Sequence, residues 1–378
     1  MIRLLVVDDS ALMRKVIGGI FAAEGDFEVA SARDGVEALG MLKRFRPDVI
    51  TLDVTMPGLD GLACLDRIML ERPCPVVMLS GLTAEGAETS LDALARGAVD
   101  VLAKPEGVAS LTSDALAPTL VQKVRAASRA RLSPALRLAA RLRARHAGLE
   151  APARREAPPL DPAPDPAPGP LAGLVLVGTS TGGPPALDAL LSGLPAGFPW
   201  PIVVAQHMPG TFTGPLAQRL DRLSPLAVRE VTRPTPLAPG HVYLGRGDAD
   251  VIVTRRPAGL AVAPAPAHPD HPWHPSVDRL VESALAHLDP ASLIGILMTG
   301  MGRDGARAMA ALKARGGRTI AEAEESAVVW GMPGELVRAG GASRVVPLDG
   351  IAAELLTLVR PALVPASVVP PGGVPPCR

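Results

Sequence analysis

The chain has 378 residues, with 38 Lys+Arg against 38 Asp+Glu, so no global charge recommends nucleic acid or an anionic membrane as its main partner. Three cysteines (Cys64, Cys74, Cys377) without metal-type spacing argue against a disulfide framework and point to a reducing compartment, the cytoplasm. The opening Met1-Ile2-Arg3 meets Asp8-Asp9 after a few apolar residues, which excludes a signal peptide or membrane span there.

Leu4-Leu5-Val6-Val7 is an apolar run ended by Asp8-Asp9-Ser10, and Met13, Ile17, Ile20 and Phe21 then recur at helical spacing. A strand followed by a helix capped by Ser10 is expected. The alternation continues: helix 34–45, strand 49–52, helix 62–70, strand 76–79, helix 88–96, strand 99–102 and a closing helix 111–127. Wholly apolar strands alternating with helices imply a doubly wound parallel sheet covered on both faces.

From Lys123 to Arg145 the chain is basic and rich in Ala and Leu, and from Ala151 to Pro170 it turns into Pro-Ala-Asp repeats. Proline at that density lacks amide donors and favours an extended path, so the segment reads as a semi-rigid linker. The arginine-rich helix before it reads as a solvated face more readily than as a nucleic-acid contact. Beyond the linker, apolar runs at 174–177, 202–205, 242–244, 251–253 and 294–298 with intervening helices at 213–223, 277–288 and 305–315 predict a second α/β domain. The proline- and glycine-rich tail after Leu363 is expected to be disordered.

In a parallel sheet, loops at the C-terminal ends of the strands share one rim. Asp8, Asp9, Asp53, Ser80 and Lys104 all fall there in the first domain. Three carboxylates so placed need a cation, an all-oxygen site suits Mg2+, and a carboxylate can accept a phosphoryl group whose oxygens a lysine and a small hydroxyl then bind.

In the second domain, Leu174-Val175-Leu176-Val177 feeds Gly178-Thr179-Ser180-Thr181-Gly182-Gly183, a strand, a sharp turn and a helix start. The turn alone fits a raised serine nucleophile or a phosphate-binding or merely structural glycine turn equally well. His207 ends the strand 202–205, and Asp304 lies in the glycine-rich turn after the strand 294–298. Both therefore join Ser180 on one edge, completing Ser, His, Asp in an order unlike that of α/β-hydrolases. His268, His271 and His274 form an H-x-x-H-x-x-H series, but prolines at 269, 272 and 275 keep a helix from presenting them together. A loop over the active-site edge is the better reading than a metal site.

Val7-Asp8-Asp9-Ser10, Asp53 within Leu52-Asp53-Val54-Thr55-Met56-Pro57-Gly58, Ser80 and Lys104-Pro105 resemble the receiver domains of two-component response regulators. With Val177-to-Gly183, Gln206-His207-Met208-Pro209, His274-Pro275-Ser276-Val277-Asp278, Met298-to-Gly305 and Val329-Trp330-Gly331-Met332-Pro333, the chain resembles the chemotaxis protein-glutamate methylesterases, the CheB family. That resemblance implies a flavodoxin-like receiver (1–127), a basic helix and Pro/Ala-rich linker (128–170), a Rossmann-like methylesterase domain (171–363) and a tail (364–378). It implies Ser180 as nucleophile, His207 as base, Asp304 as its orienter, Thr181 as support for the histidine and the Met301 amide as oxyanion donor. It implies Asp53 as phosphoacceptor, Mg2+ held by Asp8, Asp9 and Asp53, sensing by Ser80 and Lys104, and a cis Lys104-Pro105 bond.

The implied function is a phosphorylation-activated, cytoplasmic and monomeric ester hydrolase. It releases methanol from glutamyl methyl esters of chemoreceptors, deamidates receptor glutamines, takes phosphate from a chemotaxis histidine kinase and needs no cofactor for the ester step. The rivals are a non-enzymatic regulator whose second domain only binds a partner, and a DNA-binding regulator. Glu322-Ala323, where Gln-Asp is common in the family, and Gly245-to-Asp250, which lacks a histidine often found there, bear on fine substrate contacts.

Overall fold

The computed structural model describes residues 1–81, 83–104, 116–132 and 171–359. The first sheet is built from β1 (Ile2–Val7), β2 (Phe27–Ala32), β3 (Val49–Asp53), β4 (Val76–Ser80) and β5 (Asp100–Ala103). Its order is β2-β1-β3-β4-β5, every pair parallel. Helices α1 (Ala11–Ala23), α2 (Gly35–Arg44), α3 (Gly61–Glu71), α4 (Ala84–Arg96) and α5 (Leu116–Ala127) cover it. Strands β3 and β4 are buried at every position, which is why their residues are mostly apolar without alternation. Ser10, Asp34, Asp60 and Thr83 each cap a helix by accepting an amide three residues on.

The second unit holds a seven-stranded parallel sheet in the order β15-β14-β13-β6-β7-β10-β8. These are β6 (Leu174–Thr179), β7 (Ile202–Gln206), β8 (Ala227–Val231), β10 (His241–Gly245), β13 (Leu293–Leu297), β14 (Arg318–Glu322) and β15 (Arg344–Val346). Strands β9 (Thr235–Pro236), β11 (Ala249–Arg256) and β12 (Gly259–Pro266) form a separate antiparallel sheet. The run at 251–253 thus belongs to a hairpin and not to the parallel sheet: Val251 and Val253 are buried while Ile252 between them is half-open. Helices α6 (Gly183–Ser192), α7 (Gly210–Leu223), α8 (Val277–Leu285), α9 (Ala306–Ala314), α10 (Met332–Arg338) and α11 (Leu348–Val359) flank the larger sheet. The architecture is α/β throughout, two doubly wound parallel sheets. Sheet order reverses around β6, which pairs with β13 on one side and β7 on the other and so places its C-terminal end at a crevice between outgoing loops.

The two units touch. Helix α4 packs on α7 and α6, the Gly182 amide donates to the Val99 carbonyl at 3.1 Å, and the Arg131 amide donates to the Val328 carbonyl at 3.0 Å. No helix among the described residues is long and apolar enough to cross a membrane. The expected cis Lys104-Pro105 bond, most of the basic helix and linker, and the tail lie outside the described residues.

Candidate active site

Ser180 sits on the first residue after β6, 2% exposed, and its amide donates to the Thr299 carbonyl at 3.0 Å. The turn beyond it needs its glycines. Gly182 has φ +78°, a left-handed conformation that disfavours side chains, and a Cβ on Gly183 would fall 1.9 Å from Gln206 Oε1. Gln206 earns that space: its Oε1 accepts the Thr179 hydroxyl at 2.6 Å, and its amide nitrogen donates to the carbonyls of Ser180 and His207 at 3.0 and 3.1 Å. One buried side chain thereby fixes the serine turn and the histidine turn relative to each other.

His207 is 5% exposed, and its Nε2 lies 2.9 Å from Asp304 Oδ2. An ionised carboxylate only accepts, so the proton is on Nε2 and the lone pair on Nδ1. His207 Nδ1 and Ser180 Oγ are both buried, and neither has a hydrogen-bond partner. Trp273 lies on the imidazole face, centroids 5.8 Å apart and planes 17° from parallel. The Asp304 carboxylate receives four donors: His207 Nε2, the Val277 amide at 2.7 Å, the Asp278 amide at 3.0 Å and the Ser276 hydroxyl at 3.1 Å. Burial would raise its pKa, but the hydrogen bond from His207 and the two amides outweigh burial and hold it below the ordinary value.

The turn Thr299-Gly300-Met301 lies beside the serine; a Cβ on Gly300 would come within 2.7 Å of Ser180 Cβ. Met301, expected to supply an oxyanion donor, is buried in this turn. Beneath it, Glu322 is fully buried and accepts the Thr299 amide at 2.8 Å and the Ser326 hydroxyl at 2.9 Å. Burial pushes the Glu322 carboxyl up, only partly offset by those two donors. Thr181, expected to support the histidine, is placed differently. Its hydroxyl donates to Asp100 Oδ2 of β5 at 2.5 Å, across the contact between the two units.

At the other rim, ligand atoms of Asp8, Asp9 and Asp53 lie within 4.8 Å of one another. Lys104 Nζ stands 2.7 Å from Asp8 Oδ2 and 2.7 Å from Asp53 Oδ2. Burial raises the Asp53 carboxyl, and the Asp8 charge adds to this, while Lys104 opposes it. Ser80, expected to sense a phosphoryl group, gives its hydroxyl to the Gly86 carbonyl in the first turn of α4 at 3.0 Å. The three loop histidines do not meet at one point: His274 binds Asp250 at 2.9 Å and His271 meets Ser276 at 3.2 Å, while His268 lies 3.7 Å from Asp270 and edge-on to His271 with ring centroids 5.8 Å apart.

Sequence reasoning did not single out Gln206, Ser276, Trp273 or Asp100. Gln206 and Ser276 stood inside segments noted for their resemblance, directly beside a site residue or three positions before a helix amide, which is the available signal. Asp100 looked like one more strand residue, and nothing local marks a contact made across domains.

Two family descriptions match the chain: the response regulator receiver domain over residues 4–115 and the CheB methylesterase over residues 175–355. A protein-glutamate methylesterase/protein-glutamine glutaminase of Rhodopseudomonas palustris is 58% identical over 94% of this chain and 98% of its own length. A second, from Rhodospirillum rubrum, is 52% identical over 94% of this chain and 95% of its own. The solved catalytic domain of Thermotoga maritima CheB methylesterase is 37% identical with a TM-score of 0.48, spanning 50% of this chain and 98% of that one. On a receiver sheet joined to a parallel sheet that buries Ser180, His207 and Asp304 at one edge, and on full-length relatives of this identity, the chain belongs to the CheB methylesterase family.

Proposed function

We propose that the chain is a cytoplasmic methylesterase that hydrolyses glutamyl γ-methyl esters of chemoreceptors, releases methanol, and deamidates receptor glutamines at the same site. The observation that carries this reading is the pair of buried, unpartnered atoms Ser180 Oγ and His207 Nδ1, with Asp304 occupying the other imidazole nitrogen. Ser180 Oγ gives its proton to His207 Nδ1 as it attacks the ester carbonyl. The resulting oxyanion is met by amides of the turn at Met301. His207, now cationic and held by Asp304, returns the proton to the departing methoxide. Water then repeats the cycle on the acyl-enzyme and frees the glutamate. Glutamine follows the same course, with ammonia as the protonated leaving group. Ser180→Ala is expected to abolish methanol release from methylated receptors while Asp53 is still phosphorylated; methanol release persisting in that variant overturns the assignment.

The same reading divides the chain into an input unit, 1–127, and an output unit, 171–363, joined by the 128–170 segment. Asp53 is the phosphoacceptor for a histidine kinase. The all-oxygen donor set of Asp8, Asp9 and Asp53 fits Mg2+, which when bound neutralises charge on the incoming phosphoryl group. Lys104, already shared between Asp8 and Asp53, then holds the new oxygens. Phosphorylation releases the receiver from the catalytic edge, where Asp100 and Val99 grip Thr181 and Gly182, the two residues between the nucleophile and the start of α6.

A further inference from the structure

The histidine-rich loop at 268–276 contributes no reacting atom to the proposed chemistry, yet its side chains are built into the acid's support. The Asp250 carboxylate staples the loop, accepting His274 Nδ1 at 2.9 Å, the Ser276 amide at 2.7 Å and the Arg279 guanidinium. Ser276, fully buried, closes the loop as the N-cap of α8. Its hydroxyl has one proton, and that proton goes to Asp304 Oδ1 at 3.1 Å because the ionised carboxylate cannot donate. The serine oxygen therefore accepts from its other neighbours, the Arg279 amide at 3.3 Å and His271 Nδ1 at 3.2 Å. That assignment places the His271 proton on Nδ1. A chain of donors results, from His271 to Ser276 to Asp304, which meets His207 on its opposite oxygen.

Of the four donors on Asp304, two are amides fixed by the first turn of α8 and one is the base itself. Ser276 is the remaining side-chain donor, and His271 decides which way its proton points. We propose that Ser276, oriented by His271, is a positioning residue of the catalytic triad: its hydroxyl fixes the Asp304 oxygen turned away from His207 and so sets how firmly the acid holds the imidazole. The proposal rests on the assignment of Ser180, His207 and Asp304 as the reacting machinery.

The effect has a sign. A donor on Oδ1 draws charge from the carboxylate and weakens its grip on a protonated imidazole. Losing it makes Asp304 a stronger acceptor for the imidazolium formed during attack, so the pH profile of Ser180 labelling moves upward, while the carboxylate is less well aligned and turnover slows. The other charged and titratable groups around Asp304 are Asp278 of α8, Arg307 of α9, which is 3.3 Å from Asp278, Glu282 paired with Arg307, the neighbouring Arg303, and His268 against the edge of His271.

The test follows the rate of Ser180 labelling by a fluorophosphonate against pH, alongside methanol release, on the full chain with Mg2+ and a small-molecule phosphodonor. Ser276→Ala is expected to slow labelling about tenfold and to move its kinetic pKa up by about half a unit, with KM for receptor unchanged. His271→Leu should shift in the same direction by less, and His271→Asn, which keeps an N–H donor, should restore the wild-type profile. Loss of a helix cap alone would lower the unfolding temperature without moving the kinetic pKa. An unshifted pKa in Ser276→Ala overturns the proposal. Should that variant fail to fold, identical profiles for His271→Leu and His271→Asn overturn it instead. Labelling of wild-type Ser180 without any methanol release would strike the substrate assignment and leave this inference standing; no labelling of wild type fells both.

Discussion

The contact most open to experiment is the hydroxyl that Thr181 gives to the receiver. Asp100 is 6% exposed and its two oxygens are divided: Oδ2 takes Thr181 Oγ1 at 2.5 Å, and Oδ1 takes Lys123 Nζ at 2.8 Å. Thr181→Val removes the donor and fills its volume, leaving Asp100 and Lys123 paired and the receiver otherwise untouched. A hydrogen bond to a buried ionised acceptor contributes roughly 1.5–3 kcal/mol. It is lost only in the docked state, because water replaces it when the units part. Docked-to-released equilibria therefore shift by about 10- to 100-fold toward release, at about 1.4 kcal/mol per tenfold. The assay is methanol release from methylated receptor membranes with and without a phosphodonor, reported as the ratio of the two rates in each variant. Any intrinsic loss from altering a neighbour of Ser180 cancels in that ratio. Thr181→Val is expected to bring the ratio close to one, and Asp100→Asn to lower it from the other side. A ratio equal to wild type in both variants refutes the reasoning. A ratio of one in wild type as well refutes release of the receiver as the mode of control.

Four further outcomes follow from the structure. Gly183→Ala puts a methyl 1.9 Å from Gln206 Oε1, so the side chain that ties the serine and histidine turns must leave, and Ser180 labelling should fall at least tenfold without loss of the receiver's phosphorylation. Asp53→Asn should keep the unphosphorylated rate and abolish its rise with phosphodonor, measured as methanol release. Asp304 has a lowered carboxyl in the folded chain, so its contribution to stability is present above the ordinary Asp value and is lost as pH falls through the lowered one; Asp304→Asn should flatten that acid limb in urea titrations. Glu322 is raised, so its contribution is present below the ordinary Glu value and lost as pH rises through the raised one, and Glu322→Gln should remove that dependence.

How much of this was written locally in the chain differs from residue to residue. Several inner parallel strands are legible because burial on both faces makes most of their positions apolar, as at 49–52 and 174–177. Strands β2 and β8 escaped notice because edge positions mix open and buried residues, and their sequences, FEVASA and AVREV, read like connecting chain. The antiparallel pairing of β11 with β12 is not legible in the run at 251–253, because a short valine run does not reveal its partner's direction. Ser180, His207 and Asp304 are legible as a set since each lies in a turn after the C-terminal end of a strand on one side of one sheet, a relation that topology supplies. Thr181 marks the limit of that logic. Its neighbours in sequence place it beside the nucleophile, but where its hydroxyl points is decided by a carboxylate 81 positions earlier. That carboxylate begins β5, and Lys104, which bridges Asp8 and Asp53, follows the same short strand. One short strand therefore leads from the acid that holds the serine's neighbour to the lysine that meets Asp8 and Asp53.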